Sequence, residues 1–127
     1  MHMTGYSKIK HIEYYLPDKI IDNDILVREF QEWTPDKIEN KTGIRERHIA
    51  ADNETSLDLA IPACNKIFKY YDKNKIDCLI FCTQTPDYYM PATSCVLQEK
   101  LGLGTNTGAF DINLGCSGFI YGLAVAK

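Results

Sequence analysis

The sequence has no apolar run approaching the ~20 residues that a membrane-spanning helix needs, although 45% of its 127 residues are hydrophobic. Its start, Met-His-Met-Thr-Gly-Tyr-Ser, lacks a charged segment followed by an apolar one and so reads as no export signal. It has no C-x-x-C pair. The five cysteines, Cys64, Cys78, Cys82, Cys95 and Cys116, are odd in number, which favours free thiols in a reducing, cytoplasmic compartment. Cys78 and Cys82, four apart in a strand pattern, are expected to be small buried hydrophobes rather than a metal pair. Basic residues are not in excess, and a formal charge of -3 argues against wholesale nucleic-acid binding. The glycines form neither a G-x-G-x-x-G nor a P-loop, which removes the common phosphate cradles. No internal repeat, low-complexity tract or linker interrupts the chain, so residues 1–127 read as one domain, long enough for a real core.

What is present alternates between strand and helix patterns. Ile9, Ile12, Tyr14 and Leu16 suggest a first strand over residues 8–16, closed by Pro17-Asp18. Residues 23–30 read as a short helix with Asn23 as its cap. Thr34 as cap and Pro35 at the first helical position predict a second helix, stopped by Gly43. Residues 45–50 read as extended. Ala60, Ala63, Cys64, Ile67, Phe68 and Tyr71 recur at helical spacing within residues 55–71, and Pro62 inside that pattern is expected to kink the helix or delay its start. The run Cys78-Leu79-Ile80-Phe81-Cys82 is continuous and apolar, as in a parallel strand covered on both faces. A helix over residues 91–101, a strand over 108–113 and an apolar, buried helix over 117–126 complete a βαβα unit. Ligands gather at the carboxyl ends of parallel strands. The loops Thr83-Gln84-Thr85-Pro86-Asp87 and Asn113-Leu114-Gly115-Cys116 are therefore expected to face each other there.

Cys116 stands where an α/β protein places a nucleophile, just past a strand and at the start of a helix. Only the thiolate attacks a thioester. A helix start favours that anion through unpaired N–H groups and the dipole, but by only ~0.3–1 kcal/mol, less than one pKa unit. A nearby base or cation has to add the rest. Gly115 and Gly118 suit a tight junction with close backbone approach. On local pattern alone, two readings stand: a nucleophile, or a small buried residue at a tight turn. His2, His11 and His48 are the chain's histidines, and none is expected to be the catalytic partner.

Taken together, the residues resemble the β-ketoacyl-acyl-carrier-protein synthase III enzymes of the thiolase-like superfamily. The likeness runs through Thr42-Gly43-Ile44-Arg45-Glu46-Arg47-His48-Ile49-Ala50, then Thr83-Gln84-Thr85-Pro86-Asp87, and then Pro91 with Leu97-Gln98 and Leu101-Gly102. It continues through Ala109-Phe110-Asp111-Ile112 to Cys116-Ser117-Gly118-Phe119 with Tyr121-Gly122-Leu123. It implies an α/β, thiolase-like fold: the amino-terminal half, one incomplete domain over residues 1–127, with a mostly parallel mixed sheet flanked by helices.

The same resemblance implies a function. Cys116 takes an acyl group from acyl-CoA as a thioester. Malonyl-acyl-carrier protein then loses carbon dioxide and attacks that thioester, initiating fatty-acid-type chain synthesis. The backbone N–H of Cys116 is one oxyanion-hole donor. The family's histidine and asparagine, which stabilise the enolate, match no position here, so this stretch alone is expected to be inactive. Met90 matches a gate residue that reaches the partner subunit's acyl pocket; a plain core residue is the other reading. Lys41 matches a basic residue near the CoA phosphates, and Arg45 and Arg47 add to a patch for the carrier protein; a solvated charged face is the alternative. Trp33 matches a residue that stacks on the CoA adenine, although this chain has extra residues between Trp33 and Thr42-Gly43. The resemblance implies no cofactor beyond acyl-CoA as substrate, no metal, no nucleic-acid or membrane partner, and a cytoplasmic homodimer. Two alternatives remain: a sister condensing enzyme of polyketide, aryl-polyene or hydroxymethylglutaryl synthesis, and a non-catalytic half-domain binding protein.

Overall fold

The computed structural model describes residues 7–127. The opening residues, with His2 among them, lie outside the described residues. By backbone contacts the chain separates into two compact units: Leu16–Glu54, and residues up to Tyr15 together with Thr55–Lys127.

In the Leu16–Glu54 unit, β1 (Lys19–Asp22) pairs antiparallel with β2 (Glu46–Ile49), Lys19 opposite Ile49 and Asp22 opposite Glu46. The strand expected over residues 8–16 does not form. A strand needs a neighbour for its ladder, and no described strand pairs with that segment. Two helices bridge the ribbon. α1 (Asn23–Glu29) is capped not by Asn23 but by Asp22, whose Oδ1 accepts from Ile25 N at 2.7 Å. Asn23 is drawn elsewhere: buried, it donates to Ile44 O at 2.9 Å and accepts from Arg47 Nη1 at 2.9 Å. α2 (Pro35–Thr42) forms as its local signals dictate, with Thr34 Oγ1 accepting from Lys37 N and Gly43 stopping it at φ 71°.

The other unit holds the βαβα pattern. α3 (Ser56–Ile67) opens on a capping box in which Thr55 and Asp58 satisfy each other's backbone N–H. Pro62 sits inside this helix without delaying its start. A short 3-10 turn, Lys73–Lys75, leads to β3 (Cys78–Cys82), which pairs in parallel with β4 (Gly108–Ile112) from Cys78 opposite Gly108 to Cys82 opposite Ile112. Between them runs α4 (Thr93–Leu101), ended by Gly102 at φ 63°. Its cap residue Ala92 has no side-chain acceptor to offer. Asp111 of β4 serves instead, taking Thr93 N at 2.7 Å and Ser94 N at 2.8 Å on its two oxygens. One carboxylate thus caps α4 and fastens it to the strand beside the candidate nucleophile.

Leu57, Leu97, Leu101 and Leu103 form the buried core, with Leu79 and Phe81 of β3 packed against it. Cys78, Ile80 and Cys82 point the other way and line a groove of about 700 Å³ shared with α5 (Gly118–Val125). Two expectations are corrected here. Cys78 and Cys82 are exposed rather than buried, because only one face of β3 is covered by the core. The helix expected to be buried leaves Phe119, Ile120, Tyr121 and Val125 more than half exposed. It rests on β3 with one side, and its sequence is apolar on the others as well. Among the described residues no helix is long and apolar enough to cross a membrane.

Candidate active site

Parallel pairing puts the carboxyl ends of β3 and β4 side by side, and Thr83 N donates to Ile112 O at 3.2 Å where the two chains part. A cavity of about 370 Å³ opens at this edge, lined by Gln84, Pro86, Asp87, Tyr88 and Tyr89 from one loop and Asn113 from the other. The two loops face each other as expected. Asp87 is tied down by Ser56 Oγ, which donates to its Oδ1 at 2.7 Å. That bond fixes the loop to the first turn of α3.

Cys116 lies just beyond Asn113, in a turn closed by Gly118 N donating to Gly115 O at 2.8 Å. α5 starts at Gly118, and Ser117 O accepts its first bond, from Tyr121 N at 3.1 Å. The thiol is exposed, which removes the buried-residue reading in this structure. The Cys116 N–H has no acceptor within the described residues. An exposed sulfur, a free backbone donor and a helix start two residues on therefore share one small volume. A thiolate there gains from the helix dipole, and an oxygen arriving near the sulfur finds a donor.

Met90 follows Tyr89 in the loop after β3 and is 88% exposed, so it is no core residue here. His11 stacks on Tyr70, ring centroids 5.8 Å apart. His48 engages Pro17 O through Nδ1. Both have local partners that account for their positions.

The remaining expected site residues belong to the Leu16–Glu54 unit. Trp33 is half-buried, with Lys37 Nζ 4.8 Å and Lys41 Nζ 5.3 Å from its ring centroid. The ring lines a small apolar cavity of about 240 Å³ with Phe30, Ile38 and Arg47. Arg47 is held by Asn23, whereas Arg45 reaches Glu39 Oε1 at 2.6 Å across an exposed pair. Glu39 keeps the Arg45 guanidinium above its ordinary value by hydrogen bond and charge. Trp33, Lys41 and Arg47 thus gather at one place, and Arg45 is engaged with an acid. Lys37 was missed from sequence. Its signal was partly there: Lys37 and Lys41 are four apart on one side of α2, and Trp33 stands just before its cap, Thr34.

No family model matches the chain. It is similar to the beta-ketoacyl-[acyl-carrier-protein] synthase III of Xanthomonas campestris pv. campestris (strain 8004), 44% identical over 126 residues, covering 95% of this chain and 37% of that protein. Among solved structures, a 3-oxoacyl-(acyl-carrier-protein) synthase III superposes with a TM-score of 0.85 at 47% identity, covering 92% of this chain and 35% of that one. The tetronic acid condensing enzyme AbyA1 superposes at 0.74 with 30% identity, covering 90% and 38%. The chain spans a little over a third of the length of the curated relatives it matches, and over that stretch it has their α/β fold.

Proposed function

We propose that this chain is part of a synthase III-type condensing enzyme, with Cys116 as the residue that accepts the acyl group. The observation that carries the reading is the exposed Cys116 thiol, on a turn whose Cys116 amide has no acceptor among the described residues and whose Gly115 lies against Gln84, a residue lining the cavity at the carboxyl ends of β3 and β4. Likeness to synthase III proteins over nearly the whole chain supports it.

The chemistry runs in two stages. The Cys116 thiolate attacks the carbonyl carbon of an acyl-CoA, a carbon–sulfur bond forms, and negative charge moves to the oxygen. The Cys116 N–H stabilises that charge, which exists only in the tetrahedral intermediate and the transition states flanking it. Collapse expels the CoA sulfur, which leaves with a proton. Malonyl-acyl-carrier protein then loses carbon dioxide. The resulting enolate carbon attacks the acyl thioester and releases Cys116 as thiolate. The products are a β-ketoacyl-acyl-carrier protein, carbon dioxide and CoA, and no cofactor is consumed.

The other assignments follow from the same reading. Trp33 and Lys41 form the CoA-binding side, with Lys37 added. Arg45 and Arg47 contribute to carrier-protein docking, although Arg47 lines the same small cavity as Trp33, and Met90 borders the acyl chain of a partner subunit in a cytoplasmic homodimer. Residues 1–127 count as a single domain on this view. The enolate-stabilising histidine and asparagine lie outside these residues, so this stretch accepts an acyl group without completing turnover.

Incubation with acetyl-, isobutyryl- and hexanoyl-CoA, acid quench and peptide mapping tests this. Acyl mass is expected on the Cys116 peptide and absent from Cys116→Ser protein under the same conditions. An unmodified Cys116 peptide across the whole panel overturns the reading. A sister condensing reaction, favoured by the likeness to AbyA1, differs in its second stage only: acyl loading at Cys116 without any malonyl-dependent product from the protein carrying this sequence would select it.

A further inference from the structure

The two glycines that bracket Cys116 are not explained by backbone conformation. Positive φ occurs at Gly43 and Gly102 but at neither Gly115 nor Gly118, so an L-residue could adopt either backbone. Space decides instead. A Cβ on Gly118 would collide with the Sγ of Cys82. A Cβ on Gly115 would lie 2.7 Å from Cδ and Nε2 of Gln84 and 2.9 Å from its Oε1. Cys82 is the last residue of β3 and Gln84 follows two residues later. The Cys82 thiol also points its donor at Leu114 O, 3.7 Å away, a weak bond placed at the entry to the turn. Both ends of the turn therefore lie directly on side chains from the end of the neighbouring strand, Gly118 on the short Cys82 side chain and Gly115 on the more movable end of the exposed Gln84 side chain.

We propose that Cys82 and Gln84 are positioning residues for Cys116, setting the height and tilt of its turn through the backbone at Gly118 and Gly115. The inference rests on Cys116 being the reactive thiol of the proposed function, and it concerns how that thiol is held rather than what it attacks. Cys82 supports the side that becomes α5. Gln84 supports the side arriving from β4 and also lines the cavity where substrate would lie. Displacing the turn moves the sulfur relative to the helix start and the free Cys116 N–H, the two features that favour its anion and its oxyanion.

The test is a rescue experiment on the full chain that needs no turnover. The rate at which iodoacetamide modifies Cys116 is followed by peptide mapping from pH 6 to 10, with Cys95 as internal reference and a thermal midpoint for every variant. Gly118→Ala is expected to slow Cys116 about three- to tenfold relative to Cys95 and to move the pH midpoint of its reaction, the size of coupling seen between touching residues. The double variant Gly118→Ala/Cys82→Ala removes the colliding sulfur and should bring rate and midpoint back to those of Cys82→Ala alone. Wild-type behaviour in Gly118→Ala, or no recovery in the double variant, overturns the proposal. If Gly118→Ala fails to fold, Cys82→Ala and Gln84→Ala carry the test because they only remove atoms: an unchanged Cys116 pH profile in both overturns it. Failure of acyl transfer with the coupling intact sinks the functional reading alone. Acyl transfer without the coupling sinks this inference alone.

Discussion

Cys64 packs against the leucine cluster, and burial pushes its thiol above the ordinary cysteine value, because an apolar setting disfavours the thiolate. Cys78, Cys82, Cys95 and Cys116 are exposed. Brief treatment with iodoacetamide at mildly alkaline pH should therefore label those four before Cys64, and denaturant should remove the lag. Peptide mapping reads the order; early labelling of Cys64 in folded protein would contradict its placement. At this scale the position of Cys116, exposed between β4 and α5, was legible in the sequence because its signals are local: a strand pattern, flanking glycines and an apolar helix within a dozen residues. The support from Cys82 and Gln84 was not legible, since it joins positions more than 30 apart in the chain. Nor was the role of Asp111, a strand residue by pattern that turns out to cap a helix 17 and 18 residues earlier.

Helices whose termini carry their own instructions were read closely. α2 needed only Thr34, Pro35 and Gly43, and all three act within one turn of themselves. Strand β1 was misplaced because pairing is non-local: residues 8–16 carry apolar side chains, yet Lys19–Asp22 is the stretch that lies beside β2. The capping box of α3 gives this scale its prediction. Bonds from the Thr55 N–H and hydroxyl hold the Asp58 carboxyl below the ordinary aspartate value. A depressed folded value means that its contribution is present above the unfolded aspartate pKa of about 4 and is lost as pH falls through the folded value. Thr55→Ala should lower the thermal midpoint by several degrees at pH 7, and the gap to wild type should shrink as pH falls below the ordinary aspartate value and the carboxylate is protonated. A gap that stays constant with pH would show that the Thr55 hydroxyl contributes nothing through the Asp58 charge, since the variant keeps the backbone bond at residue 55.

On the scale of the whole molecule, the apolar side chains of α5 and the open side of β3 together present a broad hydrophobic surface. Surfaces of that kind drive association. The chain should bind a hydrophobic dye and sediment as concentration-dependent oligomers, and Ile120→Lys with Val125→Glu should reduce both effects. A dye-silent monomer at all concentrations would contradict this. The sequence did reveal that the last helix is apolar all round. It could not reveal whether that helix is covered, because burial belongs to the neighbours and not to the segment.

The turn at Cys116 has one more property that follows from its closing bond. Because Gly118 and not Cys116 supplies the N–H that shuts the loop, the amide beside the sulfur is claimed by no acceptor among the described residues. A carbonyl oxygen placed there would meet a donor that the turn itself does not use.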